Sequence, residues 1–288
     1  MTPLYTLWGI DMHARFPYGI LLCFIGLSAC TAATPSLVIS SPESHANTAG
    51  QSLMVFAAAS LSEAFTTLGE RFLEENPGDK ITFNFAGSQQ LAQQLAQGAP
   101  ADIFASADRK QMEAAIQAGR VSGESLQPFA QNRLVLIFPK ENPAGLVQLE
   151  DLSKPGLKLI LAAEAAPVGR YSQDFLEKAS QDPAFGSGFK DDVLKNVVSN
   201  EENVRAVFSK VILGEADAGI VYASDVSRAN VEQVATLAIP DDLNVLADYY
   251  LSLISDSQTP DLAKNFITFV LSTTGQDILA SYGLIPLR

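Results

Sequence analysis

Two serines sit where the chain changes from a strand pattern to a helix pattern. Ser60 follows Phe56-Ala57-Ala58-Ala59 and precedes Leu61-Ser62-Glu63; Ser88 follows Ala86-Gly87. A hydroxyl can accept one hydrogen bond and donate another at the same time. The first backbone N–H groups of a helix have no partner inside the helix, and the helix dipole favours negative charge there. A serine at such a start can therefore help hold an anion without carrying charge itself. Ser60 and Glu63 have capping-box spacing, which predicts Ser60 as the N-cap of the helix that follows. The bland alternative is an ordinary strand-to-helix loop that binds nothing, and a capped helix alone does not decide between the two. Arg205 and Asp225 could look catalytic; they read instead as a structural pair or as charges at helix ends.

The elements that must position these serines follow from hydrophobic periodicity. Leu53-Met54-Val55-Phe56 reads as a buried strand, and Leu61, Ala64, Phe65, Leu68 and Phe72 recur at helical spacing. Asn76-Pro77-Gly78 stops that helix, Lys80 to Phe85 gives a second strand, and Gln89 to Gln97 a helix closed by Gly98. Asp102 to Ala105 is the third strand, and Asp108 is expected to cap the next helix. Beyond Leu134 to Phe138 the pattern restarts, with strands at 157–162, 197–199 and 218–222 and helices through Ala179 and over Val204 to Leu213. Leu246 to Ile254 is a long strand, followed by two helices. This alternation argues an α/β fold with largely parallel sheets. Two α/β units joined by extended crossings at 134–138 and 246–254 would place a ligand between them, at the strand C-termini.

Composition narrows the chemistry. The 288 residues carry a formal net charge of −13, which disfavours nucleic acid and anionic membrane surfaces as partners. The cysteines are Cys23 and Cys30 and the histidines His13 and His45, so the region from Gly50 to Arg288 holds neither type. That removes thiolate catalysis, Ser-His-Asp triads, Cys/His zinc sites and disulfides from the folded region. Near the N-terminus, Arg15 precedes an apolar run from Tyr18 to Leu27, of signal-peptide length and too short to span a bilayer. Leu27-Ser28-Ala29-Cys30 resembles the lipobox of bacterial lipoproteins, which implies cleavage before Cys30 and lipidation of its thiol; a plain secretory signal is the alternative. Met12 begins a more typical signal peptide than Met1, and translation is expected to start there. The Ser, Thr, Ala and Pro of Thr31 to Gln51 read as a flexible tether.

Six segments then resemble one family in its own order: Ala57-Ala58-Ala59-Ser60-Leu61, Phe85-Ala86-Gly87-Ser88, Gly98-Ala99-Pro100-Ala101-Asp102, Pro167-Val168-Gly169-Arg170-Tyr171, Glu202-Asn203-Val204-Arg205 and Val221-Tyr222-Ala223-Ser224-Asp225. They are similar to the periplasmic molybdate-binding proteins of ABC importers, from about Leu53 to the C-terminus. The resemblance implies a type II periplasmic-binding-protein fold, two α/β lobes joined by two crossing strands with the ligand cleft between them. The organisation it suggests is a signal peptide over 1–29, a tether over 30–51, lobe I over 52–133 and 250–288, and lobe II over 134–249.

The resemblance implies molybdate or tungstate as ligand, held through its oxygens with no direct metal ligand. Ser60 and Ser88 match the hydroxyl donors, Val168 and Val204 the backbone N–H donors, and Tyr222 the phenol donor. Gln89 stands where many relatives have a further small hydroxyl residue, and Val168 where the family often has Ala. Arg170, beside the ligand loop, closes over the cleft or is simply solvated. The implied protein is a monomeric lipoprotein, anchored through Cys30 on the extracytoplasmic (periplasmic) face of the cell envelope. It would pass its ligand to an ABC permease and ATPase, with no cofactor, no catalysis and no nucleic acid. The physics is consistent: a dianion without a proton wants a donor at every oxygen, and neutral hydroxyls and amides supply them. Sulfate offers the same acceptors and is the alternative ligand. An enzyme on a similar scaffold, or a surface lipoprotein with an adhesive or sensory role, are the alternatives of other classes.

Overall fold

The computed structural model describes residues 50–226 and 231–287. Cys30, the signal peptide and nearly all of the tether lie outside the described residues. Strand β1 (Ser52–Ala58) is buried from Val55 onward and sits inside its sheet, between β2 (Lys80–Ala86) and β3 (Ile103–Ser106), parallel to both. Helix α1 (Ser62–Glu75) buries Ala64, Phe65, Leu68 and Phe72, the stripe that its 3.6-residue spacing predicts. Helix α2 (Ser88–Ala96) follows β2 directly, and α3 (Arg109–Gln117) follows β3. The sheet is completed by β4 (Gln127–Asn132), β10 (Ala247–Leu253) and β11 (Ile285–Pro286), in the order β11-β4-β10-β3-β1-β2. Helices α7 (Pro260–Leu271) and α8 (Thr273–Ser281) cover it. Phe65 meets Phe83, Phe129 and Phe266 edge-on at ring-centroid distances of 5.8–6.3 Å, which ties α1, β2, β4 and α7 into one core. Each such buried ring contributes about 1.5–3 kcal/mol by removal from water.

The second sheet has the order β7-β6-β8-β5-β9. Its strands are β5 (Leu134–Pro139), β6 (Leu159–Ala162), β7 (Val197–Glu201), β8 (Ala218–Tyr222) and β9 (Val234–Ala238). Helix α4 (Pro167–Gln181) follows β6, α5 (Phe189–Lys195) precedes β7, and α6 (Val204–Ile212) follows β7. β6 runs parallel to β7 and β8, whereas β5 runs antiparallel to β8 and β9. β10 likewise runs antiparallel to β3 and β4. The largely parallel sheets expected from the sequence are thus mixed. The antiparallel strands flank the two crossings between sheets. There the chain passes directly, without the helical crossover that a parallel neighbour requires.

The crossings are narrow. Only Arg133 separates β4 from β5. Asn244, on the return segment between β9 and β10, accepts from the N–H of Leu134 at 3.0 Å and donates to its carbonyl at 2.9 Å. The outward and return paths are therefore pinned side by side. Strands β4 and β9 and helix α5 were not legible in the sequence. β4 begins Gln127-Pro128 and has polar ends, and β9 alternates only weakly. No helix among the described residues is long and apolar enough to cross a membrane.

Candidate anion-binding site

The structure brings Ser60, Ser88, Val168, Val204 and Tyr222 around one cavity, together with Ala58, Ala59, Gly87, Ala107, Ala166, Pro167 and Asn203. It is a small space of ≈ 20 Å³, which suits a compact guest and not an extended one. Among the described residues, no ionisable acid or base lines it apart from the Tyr222 phenol.

The wall is built from element ends. Ser88 is the first residue of α2, which enters from Gly87. α4 begins Pro167-Val168; proline has no N–H, so the Val168 amide is the first donor of that helix. Val204 is the first residue of α6, whose N-cap Asn203 accepts from the Ala206 N–H at 3.1 Å. Three helix starts, each worth roughly +0.5 of a charge, thus converge on one small space. Gly169 lets α4 lie close on the end of β6, since a Cβ there would stand 2.1 Å from the Ala163 carbonyl oxygen.

The predicted capping box at Ser60 is not formed. Ser60 lies within a single 3₁₀ turn, Ala59–Leu61, and the N-cap of α1 is Leu61, with no side-chain cap. Stronger partners draw both members away. Ser60 Oγ lies 2.7 Å from Tyr249 Oη, and Glu63 pairs with Arg205 at 3.2 Å. Arg205 therefore makes its ion pair with Glu63 and not with Asp225, which was one of the two readings of that pair. Asp108 does cap α3, accepting from the Gln111 N–H at 2.9 Å.

The hydroxyls facing the cavity are prepared as donors. Ser88 Oγ accepts from the Ala107 N–H at 3.0 Å. Tyr222 Oη is buried and has no hydrogen-bond partner among the described residues. Burial pushes the Tyr222 phenol well above its usual pKa, so it keeps its proton. An unpartnered phenol inside a protein costs free energy unless a guest supplies the acceptor. Next to it, Asp225 accepts the Tyr222 backbone N–H at 3.0 Å while its Oδ1 has no partner. Burial raises its pKa to about 7, against the opposing pull of Arg205.

Contacts from both sheets' helices close over the cavity, and sequence reasoning missed half of each. Arg170 on α4 reaches Asp108 at 2.7 Å, so one buried carboxylate both caps α3 and holds the opposite lobe. The Arg170 guanidinium also lies 4.4 Å from the centre of the Tyr171 ring. Arg170 therefore closes over the cleft, one of the two fates the sequence left open. Gln89 Nε2 donates to the Glu202 carbonyl at 2.7 Å, and Gln90 Nε2 to the Glu202 carboxylate at 3.0 Å. The residue that departs from the family pattern, Gln89, is thus a lobe-to-lobe contact. Asp108 was visible in the sequence only as a cap and Glu202 only as part of a motif, and nothing local marked Tyr249.

Residues 53–285 match the family described as bacterial extracellular solute-binding protein. A relative named molybdate-binding protein ModA, from Mycobacterium tuberculosis (strain ATCC 25618 / H37Rv), is 37% identical over 258 residues, which cover 90% of this chain and 92% of the relative. The solved periplasmic molybdate-binding protein of Azotobacter vinelandii superposes with a TM-score of 0.70 at 19% identity, over 82% of this chain and 100% of that one. The sulfate-binding protein SubI from M. tuberculosis H37Rv superposes with a TM-score of 0.72 at 18% identity, over 83% and 88%. These two likenesses show the fold: two α/β lobes of the type II periplasmic-binding-protein kind.

Proposed function

The chain belongs to the bacterial extracellular solute-binding protein family, and from that premise we propose that it is the receptor of an ABC importer for molybdate or tungstate. The observation that carries this reading is the cavity: five residues from separate elements, all uncharged donors, meet at three helix starts. In this reading Ser60, Ser88 and Tyr222 donate through hydroxyls, and Val168 and Val204 through backbone N–H groups. The relative at 37% identity is named for molybdate. Lobe I comprises 52–133 and the chain from β10 (Ala247–Leu253) onward, and lobe II the segment between them, because Ala247, Asp248 and Tyr249, expected in lobe II, pair with β4; closure of the two over the anion is what the permease and its ATPase read. The mature protein is a monomer held to the envelope by lipid on Cys30.

Hydrogen phosphate fits poorly, because its proton needs an acceptor and no wall residue among the described residues is a carboxylate. Sulfate has no such proton, so its exclusion rests on the size of the cavity. Calorimetric titration of the full chain is the test. Molybdate and tungstate are expected to bind at micromolar concentration or tighter, and sulfate far more weakly; equal affinity for sulfate rejects the specificity. The anchor is tested separately: Cys30→Ser is expected to move the protein from the membrane to the soluble fraction, and continued membrane association rejects lipidation there.

A further inference from the structure

We propose that Tyr249 is a positioning and specificity-determining residue: through it, Asn132 fixes the Ser60 hydroxyl as a donor toward the cavity. The inference rests on the reading of that cavity as an oxyanion site, and adds a mechanism for rejecting oxyanions that carry a proton.

The chain of bonds has only one polarity that satisfies every member. Asn132 is fully buried, and its Oδ1 accepts from the Arg133 backbone N–H at 3.0 Å. A backbone N–H can only donate, so this bond fixes which end of the amide is oxygen. Asn132 Nδ2 therefore donates, to Ser224 Oγ at 2.7 Å and to Tyr249 Oη at 3.3 Å. Tyr249 is fully buried, edge-on to Phe129 at 6.2 Å and to Tyr222 at 5.8 Å, so its hydroxyl cannot swing to solvent. Burial holds its phenol well above the usual pKa, so it carries a proton. Having accepted from Asn132, Tyr249 has one acceptor within reach for that proton, Ser60 Oγ at 2.7 Å. The opposite polarity would strand the tyrosine proton in an apolar core, a full desolvation penalty. Ser60 accepts from Tyr249, and its own proton points into the cavity that it lines.

Ser88 obeys the same rule by a shorter route, since its oxygen accepts from the Ala107 N–H. Each of these two hydroxyl oxygens thus accepts one bond from behind, and its proton faces the guest. A tetrahedral dianion with only acceptors satisfies both. A hydrogen phosphate or hydrogen arsenate must turn its own O–H toward protons that face it.

The test is calorimetric titration of the full-length chain and of Tyr249→Phe, Ser60→Ala and the double variant, with molybdate, sulfate and inorganic phosphate as probes at pH 7.5. Tyr249→Phe is expected to weaken molybdate binding by about 5- to 20-fold, as for loss of one orienting hydrogen bond. It is also expected to narrow the preference for molybdate over phosphate by at least that factor. The double variant is expected to bind like Ser60→Ala alone, because Tyr249 acts through Ser60. Unchanged molybdate affinity in Tyr249→Phe, or losses that multiply in the double variant, overturn the relay. Failure of the wild-type chain to bind any of the three anions overturns the oxyanion site itself, a result separable from the relay's failure. A neutron structure of the wild-type protein needs no variant. A deuteron on Tyr249 Oη directed at Ser60, with the Ser60 deuteron in the cavity, is expected; the reverse order overturns the proposal.

Discussion

Replacing Tyr222 with Phe is expected to weaken molybdate binding by about 5- to 150-fold, that is 1–3 kcal/mol for a lost hydrogen bond to a charged group. The unliganded protein is expected to lose no stability. The two effects separate because Tyr222 Oη has no partner before a guest arrives. Its ring packs edge-on against Tyr249 at 5.8 Å, a contact that phenylalanine keeps. Removing the hydroxyl therefore removes a buried, unsatisfied donor from the empty protein and a charge-assisted bond from the complex. Thermal unfolding with and without molybdate measures both. The variant is expected to melt at or above the wild-type temperature when empty and to gain less on adding ligand. Unchanged affinity in Tyr222→Phe would take this tyrosine out of the site.

The second large effect is a pH dependence centred on Asp225. Its folded-state pKa is raised to about 7, chiefly by burial, with Arg205 opposing and Glu63 reinforcing the rise. Unfolded, an aspartate titrates near 3.9. Between these values the folded state holds the extra proton, so this residue's contribution to stability falls as pH rises from about 4 to about 7 and is flat beyond. The span is on the order of 4 kcal/mol at about 1.4 kcal/mol per unit. The carboxylates of Asp151 and Glu201, lowered by their hydrogen bonds, act in the opposite sense at acid pH. The clean measurement is therefore the difference between wild type and Asp225→Asn, whose amide oxygen can still accept the Tyr222 N–H. Asp225→Asn is expected to be the more stable protein above pH 7 and to lose the advantage by pH 4. A bound dianion nearby raises the Asp225 pKa further. Wild-type affinity for molybdate is thus expected to fall between pH 6 and pH 8, and that of Asp225→Asn to stay level. Parallel profiles in the two proteins would show that Asp225 does not carry the effect.

What was legible in the sequence is what local patterns encode. The strand β1, the helix stripe of α1 and the small-residue loops before Ser60 and Ser88 all follow from periodicity and side-chain size, and the structure has them. The restart of the strand and helix pattern beyond Leu134, with an extended crossing on either side of it, was enough to expect two lobes. The failures are equally physical. The capping box at Ser60 is a rule about a helix in isolation, and it lost to Tyr249, a residue that lies 189 positions away in the chain. Arg205 and Asp225 read as a structural pair or as charges at helix ends, whereas the carboxylate that Arg205 pairs with, Glu63, comes from the other lobe. The parallel-sheet expectation missed the crossings, where strands β5 and β10 run against their neighbours. The contacts that span the cleft, such as Asp108 with Arg170 and Gln89 with Glu202, depend on how two lobes meet, and no window of sequence contains both partners.

The central claim is that neutral hydroxyls and amides at converging helix starts hold a dianion inside an acidic protein. A crystal structure of the full chain soaked with tungstate, with the metal located by its anomalous scattering, tests it most directly. One tungsten atom is expected at the centre of the cavity, with its oxygens within about 3.2 Å of Ser60, Ser88, Tyr222 and the N–H groups of Val168 and Val204. A tungsten atom held elsewhere, against lysine or arginine side chains and with the cavity empty, would contradict it.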